Sequence, residues 1–246
     1  MNVAYDKKIH LPEKRWQYSQ NNIKFGILII IFIMKKYIVA ILFLSLTINC
    51  TFAQKKYSYQ YDPGAAMREH NLDFERMRLW VEFEPEKGLV KGKITHFFSA
   101  IRASVDSFYL DGPGITIKEA KLNGKDINYK MDAAGFSFFP EKPLKWGTKD
   151  SLVINYEAYP RKGIYFIGWN DPNNISRKQI WTQGQGIDNR HWFPCYDTPN
   201  DKLLTEVYVK FNKDYKVLSN GVKTAEKDNK DGTKTWHYKM NHPHQT

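Results

Sequence analysis

From Tyr57 onward the apolar positions recur with a period of two. Met77, Leu79, Val81 and Phe83 interleave with Arg76, Arg78, Trp80 and Glu82, which places an apolar and a polar face on one extended strand. Pro85-Glu86-Lys87-Gly88 breaks that run and predicts a turn into a second strand carrying Val90, Ile94 and Phe98. Asp111-Gly112-Pro113-Gly114 predicts a turn ahead of Ile115-Thr116-Ile117. Asn123-Gly124 stands between Leu122 and the alternating Ile127, Tyr129 and Met131, and Asn-Gly suits a type I′ turn, so a hairpin is predicted there. Leu152, Ile154, Tyr156 and Ala158 alternate again, as do Val207, Val209 and Phe211. Asn220-Gly221 and Asp231-Gly232 mark late turns, and Trp236 and Tyr238 share a face of the last strand. No stretch after Ala53 repeats apolar residues at helical spacing over three turns. Many short strands with frequent turns predict an all-β fold, a sandwich or saddle-shaped double sheet.

The first fifty residues follow another pattern. Met1 to Lys24 is polar without a period, Phe25 to Met34 is apolar, Lys35-Lys36 interrupts, and Tyr37 to Ile48 is apolar again. One membrane helix across both halves would bury two lysines, each costing about 2.5–3.5 kcal/mol. Read from Met34, the same residues make an export leader: Lys35-Lys36, the apolar core from Tyr37 to Ile48, and Thr51-Phe52-Ala53 as a small-x-small cleavage site. The expected organisation is therefore residues 1–33 as an upstream extension or a start placed too early, 34–53 as a signal peptide, and 54–246 as the β domain. An exported product, periplasmic, secreted or at the cell surface, is implied, with no membrane span left after cleavage. Asn49 argues against lipid attachment at Cys50, because that processing wants a small residue there.

Composition changes the picture little. With 246 residues, 42% of them hydrophobic, the chain is long enough for one large or two small domains with a buried core. The net charge of +11 suggests nucleic acid, but residues 1–53 hold seven Lys/Arg against two Asp/Glu, leaving 30 against 24 over the rest. No basic block there resembles a nucleic-acid footprint. Loss of Cys50 with a leader would leave Cys195 as a single thiol, best read as a small core residue rather than a nucleophile paired with His191. His237, His242 and His244 lack metal-ligand spacing and are read as an ordinary strand residue and a solvated turn. Gln-Gly-Gln-Gly lacks the Lys-Ser/Thr of a phosphate loop.

The densest stretch is Gln179 to Lys202, QIWTQGQGIDNRHWFPCYDTPNDK, where aromatic and polar residues mix without a period, as binding loops do. Thr182-Gln183-Gly184-Gln185, Arg190, then Phe193-Pro194-Cys195-Tyr196-Asp197-Thr198-Pro199 and Lys202 resemble the end of the N-terminal domain in the M1 (gluzincin) zinc aminopeptidases. Arg68, His70, Leu72 and Phe74 followed by Val90-Lys91-Gly92 resemble that family's first hairpin. The resemblance implies a saddle-like antiparallel β-sandwich and a chain cut short of the catalytic domain, since neither Gly-x-Met-Glu-Asn nor His-Glu-x-x-His is present. It further implies a zinc enzyme when intact, no metal or other cofactor held by this chain, and no activity by this chain alone. Its partners would be a peptide's free amino terminus and the missing catalytic domain.

On an extended strand Gln183 and Gln185 would project together, with Gly184 between them letting another chain approach. The resemblance gives this pair a role in holding the substrate's α-amino end; without it they would be strand-edge caps. Arg190 and Asp197 are expected to form an ion pair bracing the loop, with Cys195 packed inside it and Pro194 and Pro199 stiffening it. The rival function is a stand-alone secreted module, for instance glycan-binding, using Trp169, Trp181 and Trp192 as a shared exposed platform.

Overall fold

A computed structural model describes residues 31–37 and 69–246. Residues 31–37 are helical, and among the described residues no helix is long and apolar enough to cross a membrane. Most of the proposed leader, and its cleavage site, lie outside the described residues, as do the residues between Tyr57 and Arg68.

The unit from Arg68 to Thr246 is built of strands. They are β1 (Leu72–Glu84), β2 (Leu89–Ala100), β3 (Ser104–Val105), β4 (Phe108–Asp111), β5 (Ile115–Leu122), β6 (Lys125–Asp126), β7 (Asn128–Met131) and β8 (Gly135–Phe139). The rest are β9 (Leu144–Lys145), β10 (Lys149–Ala158), β11 (Ile164–Ile167), β12 (Gln179–Thr182), β13 (Leu203–Asn212), β14 (Val222–Asp228) and β15 (Thr233–His244). Eight of them form one sheet in the order β14-β15-β13-β1-β2-β10-β5-β6; β4-β8-β7, β11-β12 and β3-β9 form three small sheets.

The alternation read from sequence is the inner face of the large sheet. Met77, Leu79 and Val81 of β1 stand beside Ile94 and Phe98 of β2 and Leu152, Ile154 and Tyr156 of β10, all buried. Two small sheets pack on opposite ends of that face. Phe108 of β4 meets Phe98 at 5.4 Å between ring centroids, while Phe166 of β11 meets Phe83 at 6.2 Å. A broad sheet carrying a smaller one at either end is the expected saddle. Its pairings are antiparallel except one: β13 returns beside β1 in parallel, Leu79 opposite Val207, after the chain has run through the small sheets.

Two local readings are corrected. The Asn123-Gly124 hairpin forms, with Asn123 at φ 50° and Gly124 at φ 82°, but its return strand is only β6; Tyr129 and Met131 belong to β7, paired with β8. Ile127, buried between β6 and β7, takes the chain from one sheet to the other. The His242-Pro243-His244 segment is strand rather than turn, because His244 pairs with Leu203 and shares a 2.9 Å hydrogen bond with the Thr205 hydroxyl. A proline is tolerated there because a shifted register lies between Leu203 and Thr205.

Candidate functional site

The stretch from Gln179 to Lys202 begins as β12, whose partner is β11 with Thr182 opposite Ile164. β12 ends at Thr182, so Gln183 and Gln185 are not on a common strand face; Gln185 already begins the turn toward a short 3-10 segment, Asn189–His191. The strand stops where Gln183 N–H still donates to Gly163 O at 2.9 Å and the chain then leaves β11. Both glutamines are exposed.

Gly184 does allow a close approach, though by this same loop. A Cβ on residue 184 would lie 2.1 Å from Asn189 Nδ2. The Asn189 amide oxygen in turn accepts the Trp192 indole N–H at 3.1 Å. Glycine at 184, Asn189 and Trp192 therefore lock together, and Trp192 is driven into the core at 8% exposure.

The following residues are tied to the small sheet by an ion network. Arg190 Nε donates to Asp197 Oδ2 at 3.2 Å, its backbone N–H to the same oxygen at 3.1 Å, and Nη2 to Asp197 O at 2.7 Å. The predicted Arg190–Asp197 pair is therefore present. It has a third member that sequence reasoning missed: Arg190 Nη1 stands 3.1 Å from Asp111 Oδ1, at the end of β4, and Asp111 Oδ2 accepts Asp197 N–H at 3.0 Å. Asp111 and Cys195 exchange both backbone hydrogen bonds, at 2.8 and 3.0 Å. Burial pushes the Asp197 carboxyl up, an effect that the Arg190 contacts only partly offset. Cys195, 1% exposed, is a core residue as expected.

A second anchor comes from the large sheet. The ring of His96, buried inside it, donates Nε2–H to Pro194 O at 2.8 Å, and burial holds its pKa down at about 4, so the imidazole is neutral. Further along, Asp201 accepts the Phe74 N–H at 2.9 Å and pairs with His70 at 3.1 Å. The only sequence signal for these contacts was a histidine at an inward position, His96.

Between this loop and the inner face of β1 and β13 lies a cavity of about 1340 Å3. Leu79, Val81, Val207 and Val209 form its apolar floor, and Gln185, Asp197 and Lys202 stand among its polar walls. Gln185 lines the cavity; Gln183 does not. Among the described residues no group of three His, Cys, Asp or Glu could hold a metal ion; at the cavity's edge the Thr205 hydroxyl and His244 Nε2 share a 2.9 Å hydrogen bond. The arrangement offers hydrogen bonds and apolar contact to a ligand.

The three tryptophans all border the cavity but do not share one exposed face, Trp192 being buried. Trp192 is buried against Phe193, Trp169 packs on Phe211 and Tyr215, and Trp181 stacks on Tyr165 at 4.4 Å.

Comparison with known proteins gives this fold and loop a family. The family model for the Peptidase M1 N-terminal domain matches residues 58–246, and the chain belongs to that family. A leucyl aminopeptidase of Saccharolobus solfataricus is 28% identical over 164 residues, covering 64% of this chain and 19% of its own length. Leucine aminopeptidase 2 of Vanderwaltozyma polyspora is 19% identical over 197 residues, covering 78% of this chain and 30% of its own. The M1 zinc metallopeptidase of Deinococcus radiodurans has the same fold at a TM-score of 0.61 and 20% identity, over 71% of this chain and 40% of that one. This chain thus spans less than half the length of each of these relatives.

Proposed function

We propose that this domain forms the outer wall of the substrate cleft in an exported, zinc-dependent M1 aminopeptidase, and that Gln185, assisted by Gln183, holds the peptide's free α-amino end. The observation that carries this reading is Gln185 itself: an exposed amide lining a large cavity, on a loop that three separate anchors hold rigid. Those anchors are the Gly184–Asn189 contact, the Arg190–Asp111–Asp197 network and the His96–Pro194 bond. A glutamine side-chain carbonyl on such a loop can accept from an ammonium, and its amide can donate to a peptide carbonyl. In this reading a catalytic domain supplies the zinc and the bond-breaking chemistry, and this domain binds and orients the peptide. The export leader read in residues 34–53 supports placement outside the cytoplasm.

The test uses the enzyme that contains both this domain and its catalytic domain. Gln185→Ala removes one charge-assisted hydrogen bond, about 1.5–3 kcal/mol, which is one to two decades in kcat/KM for free peptides. Peptides acetylated at the amino terminus, measured as competitive inhibitors, are expected to bind both forms alike. Equal losses for free and acetylated peptides would return the two glutamines to a structural role.

A further inference from the structure

The face of the large sheet turned away from the core gathers positive charge around one buried carboxylate. Glu206 of β13 is 6% exposed; Arg78 Nε donates to its Oε2 at 2.9 Å and Arg76 Nη1 stands 3.9 Å from its Oε1. Lys239 is its register partner on β15. Burial pushes the Glu206 carboxyl up, but the Arg78 hydrogen bond and the charges of Arg78, Arg76 and Lys239 hold it below the usual value. Three cations therefore share one anion. Other charges on this face are matched, Lys121 with Glu119, Lys91 with Glu84, Lys210 with Glu82 and Glu75 with Lys149, while Lys93 of β2 stands opposite Trp80.

The two guanidinium groups are held in place. Arg76 lies 4.2 Å and Arg78 5.9 Å from the centroid of the Phe97 ring, and their side chains are 40% and 44% exposed. Being two residues apart on one strand they point the same way, about 7 Å apart along the chain, and the donors not used on Glu206 face water. Beside Arg78 on β1 stands Trp80, 38% exposed. One face of its indole stacks on Tyr208 at 4.9 Å, and Tyr208 stacks on His237 at 4.0 Å, so the row props the indole upright. The other indole face has no ring partner among the described residues.

We propose that this face binds an anionic glycan, with Arg76, Arg78 and Lys239 taking a sulfate or phosphate ester group and the exposed part of the Trp80 indole taking the adjoining sugar ring. Guanidinium forks match the oxygens of such esters two at a time, where an ammonium offers only a point charge. An indole face accepts the C–H side of a pyranose as it accepts other positively polarised edges. The surface is an open sheet rather than a cavity, which suits an extended polymer. This site is remote in kind from the Gln185 cavity and does not rest on the aminopeptidase reading.

The experiment is calorimetric titration of the full chain at about 0.15 M ionic strength, where long-range attraction is screened. Three probes are compared: a sulfated tetrasaccharide, its unsulfated counterpart and inorganic sulfate. The sulfated tetrasaccharide is expected to bind at least about tenfold tighter than either of the others, a difference of about 1.4 kcal/mol. Arg76→Gln with Arg78→Gln should abolish that preference, Trp80→Ala should reduce the tetrasaccharide to the level of inorganic sulfate, and Glu206→Gln should strengthen binding by removing the internal competitor. Lys142→Gln, which changes net charge away from this face, should have no effect. Equal affinity for tetrasaccharide and sulfate, equal weakening by Lys142→Gln, or no binding at all would overturn the proposal. Weakened binding in Glu206→Gln would do the same, provided its melting temperature is unchanged.

Discussion

Arg190 Nη1 stands 3.1 Å from Asp111 Oδ1, joining the loop after β12 to the end of a strand in a different sheet. The side chains are 18% and 4% exposed, so the contact is largely out of water. Removing the guanidinium would take away the cation that Asp111 and Asp197 share. Arg190→Ala is expected to cost about 3–5 kcal/mol, the range for breaking a buried pair. Urea unfolding of the two forms checks this; a loss under about 1 kcal/mol would class the pair with exposed ones.

His96 makes the fold sensitive to acid in a defined window. Its folded pKa, near 4, lies below the ordinary 6.5, so the unfolded chain takes up the proton first as pH falls. The contribution of neutral His96 is therefore intact above pH 6.5 and declines toward pH 4, by on the order of 3 kcal/mol across that range. Asp197, whose carboxyl is pushed up by burial, acts in the opposite sense in acid, so the comparison must be with a variant. His96→Gln retains a donor for Pro194 O and removes the titration; its stability should be flatter between pH 6.5 and 4.

Gly184→Ala tests the lock beneath the glutamines. Residue 184 has no left-handed backbone requirement, so the strain comes from the Cβ, 2.1 Å from Asn189 Nδ2. Asn189 must swing away and the Trp192 indole N–H loses its acceptor, a cost of about 1–3 kcal/mol for a buried donor left unpaired. Tryptophan fluorescence should shift and the melting temperature fall; Asn189→Ala should reproduce both.

Processing is expected to remove residues through Ala53 and leave Gln54 first, as the Lys35-Lys36, apolar core and Thr-x-Ala pattern implies. N-terminal sequencing of exported material reads this directly. A chain beginning at lipidated Cys50 would instead make the protein membrane-anchored.

What could be read from the sequence was what repeats or lies close by. Met77 to Phe83 and Leu152 to Ala158 announce their inner faces because strand geometry alternates side chains, and Arg190 with Asp197 is only seven residues apart. Asp111 on Asp197, His96 on Pro194 and His70 on Asp201 span 86, 98 and 131 residues, and no local pattern encodes such partners. Asn123-Gly124 specified its turn correctly but not how soon the chain would leave it, because burial of Ile127 between sheets is a tertiary demand. Gln183 and Gln185 looked like strand neighbours until the turn after Thr182 separated them, which shifts the weight of the functional reading onto Gln185.

Gln185→Glu is the sharper test of that weight. If Gln185 accepts from a peptide ammonium, a carboxylate in its place adds a full negative charge at a partly screened position. Free peptides should then bind as well as, or better than, they do to the parent, by at most about 1 kcal/mol for an exposed pair. The fold should tolerate the change, since an exposed position usually costs within about 0.5 kcal/mol. Raising the salt concentration should erase any gain, because screening weakens an exposed charge pair. KM for free peptides at low and high salt measures both effects. A weaker affinity that does not vary with salt, with the melting temperature unchanged, would mean that Gln185 presents its amide donor to the ligand rather than its carbonyl, and the ammonium assignment would fall.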